Sequence, residues 1–593
     1  MLHQFRFGGF AVTRSYRPLQ PRPCPDKPTD VRPGQDNTQS QSSAGSSGES
    51  RPNRWIPLFL LWLLSPISLA AQIPEAPIER VDEERSVEKQ WDAARAARDR
   101  IRQGVDPLDE VIELLADRSG TVRDEVFEEI VEKWSSDQRK TLRSGFSTNK
   151  GQDSGFVDEI LAEIFLHRPD PEVLPDLLAV AVGSDVDEAR EMALGAIGAL
   201  PAGSLDSKSL RLIEQLAKRE RNWWIRGEAL RCLAHQDSQR AVPLLENAMR
   251  EKKLPALRIA ALQGFVLVDQ EQACQRALEA ITKPWRDRQG IWGDRILRAA
   301  LVVLADNLTA FPRSQRAQFI TELLVAAEPL QGATRERMWA TLGTITAEPG
   351  ISPQLDAWKS WWLARKEAWI AESSGTDSGQ VENPDAKSPE DKGKTRVVRY
   401  HGVPLDSKRL VFLADVSGGM SRTVDGQFAG EGPRRIDVSR NELLRVLGQL
   451  PGDALVQVVH FGSRSDAALP RVQPLARSIR VLTDKIRKQQ VPSGRGAARG
   501  NLYGPLRRAV LEAGTDTVML LTEGAPTEGK VQNGDRLRWH VRRWNRWGQA
   551  RIHVLSVGRI RGENRAFLEG LAKDGAGRFY DVDGSFSRTK ERS

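Results

Sequence analysis

From about residue 82 to residue 370, apolar residues recur at three- and four-residue intervals with short polar breaks between the runs. That period is the mark of one amphipathic helix after another, with almost no strand signal among them. After residue 396 the period changes. Short apolar runs at 397–403, 409–414, 455–461, 517–521 and 551–556 alternate with helix-like stretches such as 437–450 and 501–513. Strands alternating with helices predict a mostly parallel sheet covered on both faces. Residues 371–396 are Ser, Gly, Asp, Glu, Pro and Lys with almost nothing apolar, which reads as a linker. Residues 1–50 are rich in Pro, Ser, Gln and Gly and, like 585–593, cannot build a core. The expected architecture is multidomain: an α-solenoid at 82–370 followed by a doubly wound α/β domain at 397–584.

Within the helical region a short phrase repeats. Arg190, Ala193 and Leu194 return as Arg226, Ala229 and Leu230, as Arg258, Ala261 and Leu262, and as Arg337 and Ala340. The arginines are 36, 32 and 79 residues apart, the last interval close to two units with a degenerate copy around Ala299, Ala300 and Leu301. Such a period indicates paired-helix repeats. The phrase resembles HEAT repeats, in which a small alanine lets two helices approach and an arginine lies near the inter-repeat turn. About six units are expected, with 122–134 and 156–167 fitting poorly. Stacked repeats present long surfaces that hold other macromolecules. Trp223, Trp224, Trp292 and Trp339 are assigned to the core rather than to an aromatic groove, and Trp358, Trp361 and Trp362, at helical spacing, to sealing the last repeat.

In the C-terminal region, the strand at 409–414 runs into Asp415, Ser417, Gly418, Gly419 and Met420, and the strand at 517–521 into Thr522, Glu523 and Gly524. Ligands of such sheets bind at the carboxyl ends of the strands. With the segments 500–506, 552–558, 567–572 and 577–580 in order, the pattern resembles the von Willebrand factor type A (vWA) domain. The resemblance implies a divalent-cation site in which a partner's carboxylate completes the shell. Asp415 and Ser417 match its first two ligands, Gly419 stands for the second serine, Gly500 for the threonine, and Glu523 for the aspartate. Two hydroxyl ligands are missing and the longer Glu523 displaces a carboxylate, so the site is degenerate, with Ser421 or Thr522 as substitutes outside the family positions. Cofactors are therefore none, or weak Mg2+ or Mn2+, at Asp415, Ser417 and Glu523. Partner contact falls on Asp415, Ser417, Gly419, Thr522 and Glu523. Asp415 and Ser417 equally suit a plain turn after a strand.

Charge is uneven. The formal +8 divides into about −8 over 73–370 and about +13 over 400–593, with the balance outside these segments. A basic domain can meet nucleic acid, anionic polymers or an acidic protein, and the nearest acidic surface is on the same chain. Residues 536–551 interleave Arg536, Arg538, Arg542, Arg543, Arg546 and Arg551 with Trp539, Trp544 and Trp547. Leu537, Val541 and Trp544 share one helical stripe, so the arginines are read as a solvated face, with contact to an acidic protein or anionic polymer next and nucleic acid last. Residues 51–71 have a basic start, a short apolar run and small residues at the end, the layout of a signal peptide or short membrane anchor, so the chain is expected to be exported and to touch membrane only there. Cys24, Cys232 and Cys274 offer no zinc spacing, and the latter two read as buried thiols before a disulfide. Gly524 to Lys530 mimics a phosphate loop but continues with Val531 and contains Pro526. No nucleophile or metalloprotease motif is present, and His460 and His553 fall in strand patterns, so a non-enzymatic interaction protein with an unknown protein partner is expected, cation-dependent adhesion being the alternative.

Overall fold

The computed structural model describes residues 86–582 apart from 104–107, 134–135, 149–153, 286–290, 373–396, 428–431, 493–498, 513 and 559. The expected extension at 1–50, the signal segment at 51–71, the linker from 373 to 396 and the tail at 585–593 lie outside the described residues, while residue 371, expected in the linker, still belongs to the last helix of the helical region. No helix among the described residues is long and apolar enough to cross a membrane.

The N-terminal region is helical throughout: α1 (Val87–Gln103), α2 (Leu108–Leu115), α3 (Gly120–Glu132), α4 (Ser136–Thr148), α5 (Ser154–His167), α6 (Leu174–Gly183), α7 (Asp187–Ala199), α8 (Ser207–Arg219), α9 (Trp223–Gln236), α10 (Ser238–Met249), α11 (Ala256–Val268), α12 (Gln270–Thr282), α13 (Ile291–Asn307), α14 (Arg313–Ala326), α15 (Gly332–Thr346) and α16 (Leu355–Ala371). Side-chain caps start several of them: Asp206, Asn222, Asp237 and Asp269 each accept from a backbone N–H of the first turn. The odd-numbered helices from α3 to α15 pack one on the next into a row, and α6, α8, α10 and α12 back the member that follows each.

The repeated arginine has a structural task. Arg190, Arg226 and Arg258 each turn their Nε onto a carbonyl at the end of the preceding helix or just beyond it, Ala181, Ala217 and Glu251, at 3.1, 3.0 and 2.8 Å. Carbonyls at a helix end lack intrahelical partners, so a guanidinium there closes the inter-repeat turn. Trp358, Trp362 and Trp369 are buried, and Trp369 donates to the Thr346 carbonyl at 3.2 Å, which closes the end of the stack.

The C-terminal region begins with a hairpin, β1 (Arg399–Tyr400) and β2 (Val403–Pro404), where one strand over 397–403 was expected. His401 and Gly402 both take positive φ, 46° and 81°, the backbone of a tight two-residue turn that breaks the run. Then follow β3 (Arg409–Asp415), α17 (Arg435–Leu447), β4 (Leu455–Phe461), β5 (Ser465–Ala467), β6 (Gln473–Pro474), α18 (Leu475–Lys488), α19 (Tyr503–Leu511), β7 (Thr517–Thr522), α20 (Gly534–Gly548), β8 (Arg551–Val557), α21 (Gly562–Asp574) and β9 (Phe579–Val582). The sheet order is β5-β4-β3-β7-β8-β9, with β6 also on β4. β3, β4, β7, β8 and β9 run parallel, and β5 and β6 antiparallel. Leu410, Phe412 and Ala414 face a core closed by α17 and α18. Val411 and Leu413 face the opposite core, which contains α19, α20 and α21 and continues without a break into the helical row.

That continuity overturns the reading of 536–551 as a solvated face. α20 lies between the sheet and the row, and its arginines are sunk into acidic partners. Arg536 pairs with Asp124 of α3 at 2.6 Å and Glu163 of α5 at 2.7 Å, Arg543 with Glu191 of α7 at 2.5 Å, and Arg546 with Glu191 and with Glu228 of α9. Lys530 meets Glu159 and Arg507 of α19 meets Glu188. Further along, Gln263 donates to the Arg546 carbonyl, Arg295 to that of Glu512, Arg298 to that of Gln549, and Arg551 pairs with Glu336. The charge asymmetry of the sequence is thus spent inside the molecule. Mid-helix glycine makes the approach feasible: a Cβ on Gly227 would lie 2.7 Å from the Trp547 ring. Only Arg538 and Arg542, both on Asp574, remain on the outer side of α20.

Cys232 and Cys274 are buried free thiols. His460 of β4 is buried as well, and burial holds its imidazole down to about 4, with Asp466 opposing and Lys485 assisting that shift. An imidazole lowered on folding stays neutral while the unfolded chain takes up a proton, so its stability contribution is present above the ordinary value near 6.5 and is lost as pH falls toward 4. Urea unfolding of His460→Gln between those limits should show a shallower acid loss than the parent, by at most about 3 kcal/mol. An unchanged acid limb contradicts this.

Candidate functional site

The strand order reverses at β3: β4 lies on one side, β7 on the other, and the crevice between their carboxyl ends is where a doubly wound sheet offers a site. Register brings Ala414 level with Leu521, so Asp415 and Thr522 leave the sheet side by side. Asp415 is buried and its carboxylate is fully engaged. Oδ1 accepts from the Ser417 amide at 2.7 Å, and Oδ2 accepts from the Thr522 hydroxyl at 2.9 Å and the Glu523 amide at 3.4 Å. Burial nonetheless raises its pKa, against these hydrogen bonds. Ser417 and Thr522 are buried too, whereas Gly418, Gly419, Ser421, Glu523, Gly524 and Gly500 are half-buried on the rim.

Glu523 decides the character of the site. Its carboxylate accepts from the Ser417 hydroxyl at 3.3 Å and pairs with the Arg435 guanidinium at 2.8 Å. It lies over Gly419, where a Cβ would stand 1.7 Å from both carboxylate oxygens. Glycine at 419 and glutamate at 523 are therefore one coupled feature, because the extra methylene carries the carboxylate into the space a serine would fill. Gly500 is different. Among the described residues a Cβ there meets only the Ser417 Cβ, at 3.8 Å, which is ordinary contact. Burial and the Asp415 carboxylate push the Glu523 pKa up, and Arg435 opposes them.

Arg435, which the sequence pattern did not single out, enters from the first turn of α17. Its Nε donates to the Thr423 carbonyl at 3.2 Å, and Gly558, at φ 88°, leaves room for it, since a Cβ there would come within 2.4 Å of its Nη2. The only signal in the sequence is an arginine at the start of a helix 20 residues after Asp415, and many arginines satisfy that.

These residues do not fit a hexacoordinate divalent cation. Magnesium needs oxygen ligands in near-octahedral order. Here Asp415 already accepts three hydrogen bonds, Ser417 donates to Glu523, and a cation beside Glu523 would face the Arg435 charge.

The helical row shapes the rim. Gly500 and Thr527 exchange two bonds at 3.0 and 2.9 Å, and Arg499 pairs with Glu528 at 2.7 Å. The same loop then passes onto α3, where Arg123 donates to the Gly529 and Lys530 carbonyls at 3.0 Å each and Asp124 accepts from the Gln532 and Asn533 amides at 2.6 and 2.7 Å.

A family model of HEAT repeats matches residues 209–291. No curated protein matches the chain in sequence. Among solved structures the chain is similar to the PilB minor pilin of Streptococcus sanguinis, at 15% identity over 31% of this chain and 61% of that one with TM-score 0.24, and to a point mutant of that pilin, at 15% over 30% and 59% with TM-score 0.24. It is also similar to the conserved hypothetical protein BatB from Bacteroides thetaiotaomicron, at 17% over 30% of this chain and 91% of that one with TM-score 0.23. The chain thus spans about three fifths of the pilin. What the match and the architecture together establish is a chain with HEAT repeats at 209–291, within a longer row of helices, followed by an α/β domain with a mixed, largely parallel sheet.

Proposed function

We propose that this is an exported, non-enzymatic protein-interaction module in which the repeats serve as an internal scaffold for a vWA-like domain. The loops after β3 and β7 grip a protein partner without a metal ion. Sheet order, the switch point at β3 and the sequence pattern from Asp415 to Tyr580 all support the vWA-like reading. The observation that carries the interaction reading is the anchoring of the loop after β7 to α3 through Arg123 and Asp124, because a loop tethered at its far end is preorganised for contact. Asp415, Ser417 and Thr522 act from beneath as supports, and the partner meets Gly419, Ser421 and Glu523. The export reading rests on the sequence of 51–71 alone.

Cation-dependent adhesion is the competing reading, favoured by the two carboxylates at one crevice. The test is capture of partners from envelope extract by the full chain, with and without chelator. Metal-free gripping predicts equal capture in both, and loss on Ser421→Trp, which blocks the rim. Capture abolished by chelator supports the cation-dependent alternative, and capture indifferent to Ser421→Trp removes the loops from the binding surface.

A further inference from the structure

A cleft of about 790 Å3 lies between the last repeats and the edge of the sheet near β8 and β9, away from the loops at Asp415. Its lining includes four arginines, Arg298, Arg337, Arg551 and Arg578, and a single acidic residue, Glu336, which is already paired with Arg551. Two of these arginines have structural duties. Arg298 donates to the Gln549 carbonyl and the Thr334 hydroxyl, and Arg551 is held by Glu336 and Asp406.

The other two do not. Neither the Arg337 nor the Arg578 side chain makes a hydrogen bond or ion pair among the described residues. Arg337 is the repeat arginine of its unit, and its counterparts Arg190, Arg226 and Arg258 each bond a carbonyl of the preceding turn. At this unit no such bond is made among the described residues, and Arg337 lines the cleft instead. Burial lowers its pKa, with the Asp306 charge opposing and Arg551 adding to the shift. His553 adds a neutral donor. Its Nδ1 accepts from the Arg578 amide at 3.2 Å, which leaves the proton on Nε2, and burial holds the ring down to about 4. The lining also has an apolar part, with Trp339 and Ile351.

We infer that this cleft binds a small organic oxyanion, a carboxylate or phosphate on an apolar or aromatic body, with Arg337 and Arg578 as its anchors. Guanidinium forks match such oxyanions in geometry as well as charge, and a concave, mixed apolar and cationic lining is what a small-ligand site requires.

Calorimetric titration of the full chain with phenyl phosphate, phenylacetate and inorganic phosphate tests this. Saturable binding of at least one aromatic oxyanion is expected, with a dissociation constant of about 1 mM or tighter. The stronger of the two aromatic probes identifies the headgroup. Arg337→Ala and Arg578→Ala should each weaken it at least tenfold, and Arg337→Lys by less. Arg578 is exposed, so its variant reports even where Arg337→Ala perturbs folding. No saturable heat with any of the three probes overturns the inference, as does binding that both alanine variants leave unchanged. Inorganic phosphate binding as tightly as phenyl phosphate overturns the role given to the apolar part of the lining.

Discussion

Truncating Arg536 to alanine is expected to lower folding stability by about 3–5 kcal/mol, read as a fall in the urea unfolding midpoint of the intact chain. The guanidinium is buried, shared between Asp124 and Glu163, and stacked over the Phe127 ring at 4.0 Å. Burial alone would raise the Glu163 carboxyl, but Arg536 and His540 beside it hold it well below the ordinary range. Removing the arginine leaves two carboxylates enclosed between the row and α20, Glu163 with the His540 imidazole and Asp124 with the Gln532 and Asn533 amides, and no buried cation between them. Replacing the triad as Arg536→Met with Glu163→Leu and Asp124→Asn, which keeps an acceptor for the Gln532 and Asn533 amides, should recover much of the loss, because no charge is left to desolvate. A single variant within about 0.5 kcal/mol of the parent would mean that the helical row does not hold α20 in solution.

The second large effect concerns Arg435. Its replacement by alanine should destabilise the chain by about 2–3 kcal/mol at neutral pH, less than for Arg536 because the Glu523 side chain is 24% exposed. Glu523 already has its pKa raised by burial and by Asp415, and without the guanidinium it rises further. A carboxyl raised on folding binds its proton more readily in the folded chain. Its penalty is therefore present when both states are ionised and fades as pH falls through the raised value. Arg435→Ala should accordingly regain stability on mild acidification relative to the parent. A pH-independent difference between the two would assign Arg435 to packing alone.

How much of this was legible depended on distance along the chain. The repeat arginines and the strand ends at Asp415 and Thr522 are local patterns, and they appear as such in the structure. Glu163 and Arg536 are 373 residues apart, and nothing in either neighbourhood names the other. Charge totals showed that an acidic and a basic region coexist but not that they interlock. One signal was present: the large apolar residues of α9, Trp223, Trp224, Ile225, Leu230 and Leu233, do not keep to one face, and all are buried. A helix covered on every side needs a second layer beyond its own repeat, and α20 is that layer. At the site, the substitutions at 419 and 523 were visible as departures from the vWA pattern. Their steric coupling was not, because it depends on where the Glu523 carboxylate turns, and that is set by Arg435.

Beside Asp415, the Arg435 guanidinium supplies the positive charge that faces Glu523, and the proposed metal-free behaviour of the site turns on that ion pair. Calorimetric titration of the intact chain and of Arg435→Ala with Mg2+ and Mn2+ addresses it directly. The parent should give no saturable heat, while the variant, its Glu523 carboxylate released, should bind one equivalent that Glu523→Gln in turn removes. One-to-one binding by the parent, lost on Asp415→Ala, would contradict it.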